Sequence, residues 1–132
     1  MALRATGTFK ITSWDEKPFS EVEGSGKLTQ VSVIKTYVGE IQGVGTLHYV
    51  MTYRMDGSAE FRGYERFVGR VHERSGSFVL QHSGLFANGK ANEVSSVVQD
   101  SGAGALSGVR GTTEFAAAHQ HEHPVTLDYD FG

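Results

Sequence analysis

Hydrophobic and polar residues alternate along most of this chain, and the alternation is clearest near its middle. In the run 40–54, Ile41, Leu47 and Met51 fall on one face, with polar residues between them. A period of two is typical of a β-strand with one buried face, and no helical period persists for about ten residues. The pattern therefore predicts an all-β protein. The predicted strands cover residues 3–14, 27–38, 40–54, 58–71, 77–87, 91–99, 105–116 and 124–131.

The turns between these runs predict how the strands connect. Asp56-Gly57 and Asn88-Gly89 are strong hairpin signals, and Lys17-Pro18 is predicted to end the first strand. Glycine also occurs inside most runs, as it does at the bends of closed sheets. We therefore expect an eight-stranded antiparallel up-and-down (meander) barrel, with a jelly roll as the main competitor. Without a repeat or linker, residues 1–132 are expected to form a single β-barrel domain.

Composition narrows the function without fixing it. The 132 residues include 12 Lys and Arg, 15 Asp and Glu and no Cys, giving a net charge of -3. No thiolate metal site, disulfide or cysteine nucleophile is therefore available, and a nucleic-acid partner is not favoured. The first residues lack the apolar stretch of a secretion signal, and no run approaches about 18 apolar residues. We expect a cytoplasmic protein with no membrane partner.

Several short motifs are spread over nearly the whole chain. They are Gly7-Thr-Phe9, Trp14-Asp-Glu16, Tyr37-Val-Gly-Glu-Ile-Gln-Gly-Val-Gly45, Gly63-Tyr-Glu-Arg-Phe-Val-Gly69, Gly76-Ser-Phe-Val-Leu-Gln-His82, Ser101-Gly-Ala-Gly-Ala-Leu-Ser-Gly-Val-Arg-Gly111 and Leu127-Asp-Tyr-Asp-Phe131. In this combination the chain resembles a bacterial family of unknown function that shares the allene oxide cyclase-like barrel fold. The resemblance implies an eight-stranded meander barrel that self-associates into a homo-oligomer, and it implies no established reaction.

The chain departs from that family at one turn, where Ala103 and Ala105 stand in place of a Thr and a Glu. The plant cyclases that share the fold rearrange an unstable fatty-acid epoxide in an apolar cavity. Applying that chemistry here would be analogy by fold alone.

Glu65 and His82 are the candidate catalytic residues. Strict alternation places Glu65 between Phe61 and Phe67 on an apolar face, and it places His82 on the apolar face of the next strand. Such a pair could serve as general base and acid, or it could hold the polar end of a ligand. Alternatively, Glu65 pairs with an inward-facing Arg110, and His82 is a core histidine with satisfied hydrogen bonds.

Five further residues complete the candidate ligand-binding set with Arg110. Tyr49, Tyr53 and Tyr129 fall on predicted inward faces, where each hydroxyl needs a partner. Trp14 ends the first predicted strand, where it either caps the barrel or contributes to a cavity mouth. Gln81 points to the outer face and is included because a β-bulge could shift the register.

Two functions are consistent with these residues. The first is a barrel that binds a small apolar molecule, with an isomerase or cyclase reaction at the Glu65 and His82 pair as one form of it. The second is a packed, non-enzymatic barrel that binds itself or a partner protein. His119, His121 and His123 have the alternate spacing of metal ligands, but their loop position favours a solvated segment. We therefore expect no metal and no cofactor.

Overall fold

The computed structural model describes residues 2–117 and 122–132, with the backbone alone at 114–117. This part of the chain contains nine β-strands and no helix, which confirms the prediction of an all-β protein. It therefore contains no helix that could span a membrane. The strands are β1 (Leu3–Val22), β2 (Gly26–Gly39), β3 (Ile41–Tyr53), β4 (Ala59–Val71), β5 (Arg74–Ala87), β6 (Lys90–Val97), β7 (Ala103–Gly104), β8 (Arg110–Ala117) and β9 (His123–Asp130).

The eight long strands form a ring-like antiparallel sheet. The order β4-β3-β2-β1-β9-β8-β6-β5 is completed by a further pairing between β4 and β5. The two-residue strand β7 adds to the edge of β5. Asn88 and Gly89 both have positive φ in the tight turn between β5 and β6, as expected from a type I′ hairpin. Along β2, β3, β4, β6 and β9, buried residues alternate with more exposed ones, and the buried residues face the interior of the ring.

The first strand is longer than the sequence predicted. The expected end at Lys17-Pro18 is wrong, because β1 continues to Val22 with a register shift between Pro18 and Ser20. Among the described residues, the part of β1 beyond Phe9 pairs with β2 alone. A strand with one unpaired edge tolerates a proline, since the missing N–H removes no ladder bond on that side.

The predicted strand 105–116 is also wrong, because regular structure resumes only at Arg110. Gly104 and Gly108 adopt the left-handed conformation, with φ of 66° and 81°, and this ends the alternation of the extended chain. The resulting turns bury Leu106 and Val109 completely or nearly so. This segment closes one end of the ring.

The interior contains two apolar clusters. The first includes Phe67, Phe78 and Tyr129 and is covered by Leu106 and Val109 at the closed end. The second lies toward the other end; its buried members are Val31, Val33, Leu47, Tyr49, Met51, Ala59 and Phe61. Buried charged side chains occur between these clusters.

Candidate functional site

Glu65 lies at the centre of the interior with no exposure to solvent. Its Oε1 lies 2.7 Å from Nε2 of His82 and 3.6 Å from Nζ of Lys35, and its Oε2 accepts a 2.5 Å hydrogen bond from the Tyr37 hydroxyl. Burial alone would raise the pKa of Glu65, but Lys35, His82 and Tyr37 together outweigh it and lower the pKa to about 2. The carboxylate is therefore held ionised inside the sheet.

The backbone of β3 leaves room for this carboxylate. A Cβ atom added at Gly45 would lie 1.9 Å from Oε2 of Glu65 and 3.1 Å from the Tyr37 ring. Gly45 sits opposite Phe67, two residues beyond Glu65 on β4. The glycine is thus required by close approach, and it provides the space in which Glu65 meets its partners.

His82 connects Glu65 to a second buried carboxylate. Its Nδ1 lies 2.6 Å from Oε1 of Glu93 and 2.5 Å from Oγ of Ser95, while Nε2 faces Glu65. Carboxylates only accept hydrogen bonds, so the two contacts call for an imidazolium with both nitrogens protonated. Burial opposes that charge, but the hydrogen bonds to Glu65 and Glu93 outweigh it and raise the pKa of His82.

A cavity of about 300 Å³ opens at the end of the ring opposite the closed one. Its base is formed in part by Lys35, Tyr49 and Glu93, and Tyr49 donates a 2.9 Å hydrogen bond to Oε1 of Glu93. Burial, followed by the charge of Glu93, raises the pKa of Tyr49 well above its ordinary value, so this hydroxyl stays protonated. The described lining residues are mostly apolar: Phe9, Ile11, Trp14, Val33, Met51, Tyr53, Phe61, Phe86 and Ala91, with His123 beside them.

Glu16 organises the rim of this cavity. Its carboxylate accepts hydrogen bonds from the hydroxyls of Tyr53 at 2.5 Å and Thr29 at 2.7 Å, and from Nε1 of Trp14 at 3.3 Å. Burial and the bond to Glu16 raise the pKa of Tyr53 to about 12. Trp14 remains 48% exposed. The indole is therefore fixed at the mouth of the cavity.

The structure brings together only some of the predicted site residues. Glu65 and His82 form the predicted pair, but neither is among the described residues that line the 300 Å³ cavity. Tyr49, Tyr53 and Trp14 do line it. The pair therefore lies one layer beneath the cavity. Its contact with the cavity runs through Lys35, which lies beside Glu65, and through Glu93, which lies beside His82 and is bonded to Tyr49.

The other predicted residues lie elsewhere. Arg110 is exposed and pairs with Asp130 at 2.8 Å, so Lys35 rather than Arg110 is the buried cation beside Glu65. Gln81 is exposed on the outer face. Tyr129 belongs to the cluster at the closed end, where its hydroxyl lies 2.5 Å from Nδ1 of His72.

The histidine cluster falls partly outside the described residues. His119 and His121 are not among them, and His123 is buried at the start of β9 and lines the cavity. Within the described ranges, no group of three or more His, Asp or Glu side chains has an arrangement that could hold a metal ion.

Sequence reasoning missed Lys35, Glu93 and Glu16. The signal for Lys35 was available, because Val31, Val33, Lys35 and Tyr37 alternate on the buried face of β2. In β6 the apolar Val94 faces outward and Glu93 inward. The hydrophobic pattern of β6 alone thus predicts, wrongly, that Val94 faces the interior and Glu93 the solvent.

The family model described as "Protein of unknown function (DUF3224)" matches residues 5–129. The chain belongs to the DUF3224 family. This confirms the predicted membership of a family of unknown function.

A solved relative has the same fold as this DUF3224 chain. The crystal structure of a DUF3224 protein of unknown function from Shewanella oneidensis MR-1 is 27% identical and superposes with a TM-score of 0.82. The match covers 100% of this chain and 99% of the relative. Among curated proteins, none matches the chain.

Replacing Lys35 by Met should destabilise this DUF3224 protein by about 3–5 kcal/mol, because it leaves two buried carboxylates, Glu65 and Glu93, beside a single buried cation, the imidazolium of His82. Lys17→Met is the matched control, since Lys17 is 78% exposed and its pair with Asp15 lies at the surface. Urea unfolding of both variants measures the effect. Equal free energies of unfolding for the two variants would contradict a structural role for the buried pair.

Acid should remove the stabilisation that Glu65 provides. The pKa of Glu65 is lowered from 4.5 to about 2 on folding, so its contribution is complete above pH 4.5 and is lost as the pH falls toward 2. In urea unfolding, the stability advantage of the wild type over Glu65→Gln should shrink by up to about 1.4 kcal/mol per pH unit below that value. An advantage that stays constant down to about pH 3 would contradict the lowered pKa.

Proposed function

We propose that this DUF3224 protein binds a small, largely apolar molecule in the 300 Å³ cavity. One observation carries the proposal: an apolar cavity opens at one end of the ring and has a few polar groups, Glu93, Tyr49 and Lys35, at its base. Ligand sites commonly combine apolar walls with a small number of convergent polar groups. A core that served only stability would instead be filled by side chains.

The arrangement of the ring supports the same proposal. We infer that the sheet is an eight-stranded meander barrel of the allene oxide cyclase type. The sequential pairing of the long strands and the pairing of β1 with β9 support this inference. Eight strands enclose an interior just wide enough for side chains or for one small ligand. With Leu106 and Val109 at one end, a ligand would enter from the rim of Trp14 and Tyr53.

Any reaction on the bound molecule would use the groups that line the cavity. Glu93 and Tyr49 could exchange a proton with it, while Glu65 and His82 would act as positioning residues behind Glu93. Ligand binding in the cavity does not depend on such a reaction.

Self-association is a second candidate function, and the outer face of the sheet favours it. Val44 and Val68 are direct cross-strand neighbours and are 45% and 55% exposed, and Val38 nearby on β2 is 50% exposed. Exposed apolar side chains grouped on a sheet surface are typical of interaction sites. This candidate does not require a ligand.

One experiment tests both candidates. In native mass spectrometry of untagged protein from its own host, we expect a reproducible extra mass that is absent from the denatured chain. Ala91→Phe should abolish the extra mass by filling the cavity, while Val94→Phe, on the outer face of the same strand, should retain it. A bare wild-type mass in a defined oligomer would contradict ligand binding and favour self-association. Retention of the extra mass by Ala91→Phe would place the molecule elsewhere.

A further inference from the structure

One oxygen of Glu93 is the least satisfied acceptor at the base of the cavity. The Glu93 side chain has no solvent exposure, and its Oε1 contacts Nδ1 of His82 and the Tyr49 hydroxyl. Its Oε2 is buried and has no hydrogen-bond partner among the described side chains, those of residues 2–113 and 122–132, or in the described backbone. A buried acceptor without a donor costs free energy that a suitable ligand group would recover.

We propose that the ligand is a neutral alcohol whose hydroxyl donates a hydrogen bond to Oε2 of Glu93 while its apolar body occupies the cavity. This inference rests on the proposed binding function and names the chemical class of the ligand. An ionised carboxylate can only accept, so the group that meets Oε2 has to be a donor.

The charges around the cavity base favour a neutral donor over an ion. Lys35 and the imidazolium of His82 balance the carboxylates of Glu65 and Glu93, so the four side chains sum to zero when all are ionised. A ligand carboxylate would meet a second carboxylate at Glu93, and an ammonium group would bring an uncompensated charge into a buried site.

Lys35 is already engaged and does not compensate for a ligand anion. Its Nζ lies 3.6 Å from Glu65 and 4.4 Å from the centre of the Phe9 ring. Turning toward an anion in the cavity would weaken both contacts and leave Glu65 with the imidazolium of His82 but without Lys35. This is costly for a carboxylate that is fully buried.

The size of the cavity sets the size of the apolar body. An engineered cavity of about 150 Å³ holds benzene, and this one is about 300 Å³. By that comparison it accommodates about a dozen carbon atoms. The walls above Glu93 include Val33, Met51 and Phe61, which suit an alkyl chain or fused rings.

The test uses four molecules that share a ten-carbon chain: 1-decanol, 2-decanone, decanoate and decylammonium. Trp14 is the only tryptophan of the chain and lies at the cavity mouth, so its fluorescence reports binding, and calorimetry gives the affinities. We expect 1-decanol to bind about ten- to a hundredfold more tightly than 2-decanone, which accepts but cannot donate. The two ions should bind more weakly than the alcohol.

A Glu93→Gln variant tests the contact itself. An amide nitrogen at this position can donate to a ketone, so the preference for 1-decanol over 2-decanone should fall at least about tenfold or reverse. Glu73→Gln, the same change at an exposed position of the turn between β4 and β5, should keep the wild-type preference.

The outcomes separate this inference from the proposal on which it rests. Equal affinity for the alcohol and the ketone, or tighter binding of decanoate or decylammonium, would overturn the alcohol assignment while leaving cavity binding in place. Failure of all four molecules to bind would overturn the proposed function. If Glu93→Gln does not fold, the wild-type affinities alone still test the alcohol assignment. A site for an alcohol binds 1-decanol most tightly of the four molecules, whereas a site for another class of ligand does not.

Discussion

The interior of this protein depends on keeping one carboxylate ionised away from water. An isolated buried charge is strongly unfavourable, and it is tolerated only with close partners that satisfy it. Glu65 on β4 obtains those partners from Lys35 and Tyr37 on β2 and from His82 on β5. Three strands must therefore be in one register, because a slip of one residue would turn any of these side chains to the outer face. We call the buried side chains Glu65, Lys35, Tyr37 and His82 the polar layer. This layer specifies the register in which the strands pair, and the apolar clusters stabilise the paired strands.

The same layer connects the structural core to the candidate site. From Glu65 the hydrogen bonds pass through His82 to Glu93, which lies at the cavity base with Tyr49. On the far side, Leu106 and its neighbours fill the ring with apolar side chains. The two ends of the ring thus differ in kind: one is packed, and the other combines apolar walls with a preorganised polar base. Ligand binding at the open end accounts for this difference between the two ends. A core that served only stability would be packed at both ends.

Local alternation predicted much of this architecture, and its failures have physical causes. Glu65 and His82 were placed on inward faces because β4 and β5 alternate without interruption. The alternation wrongly predicts that Arg110 faces the interior. The turns before β8 interrupt the extended chain, so the residues after them do not continue the alternation of the residues before them. The alternation of β2 does place Lys35 on the buried face with Val31 and Val33, so its position was predictable. Glu93 was not predictable from its strand, because the apolar Val94 beside it favours the opposite face. The contacts of both side chains with Glu65 and His82 depend on how the strands pair.

The most direct test of this account is the protonation state of His82 in the folded protein. Two carboxylates flank the ring, so a ¹⁵N NMR titration of histidine-labelled protein should show both nitrogens mostly protonated at pH 6.5, with a pKa above that ordinary value. A ring that is mostly neutral at pH 6.5, and so has a pKa below that value, would contradict the ionised network that joins Glu65 to the cavity base.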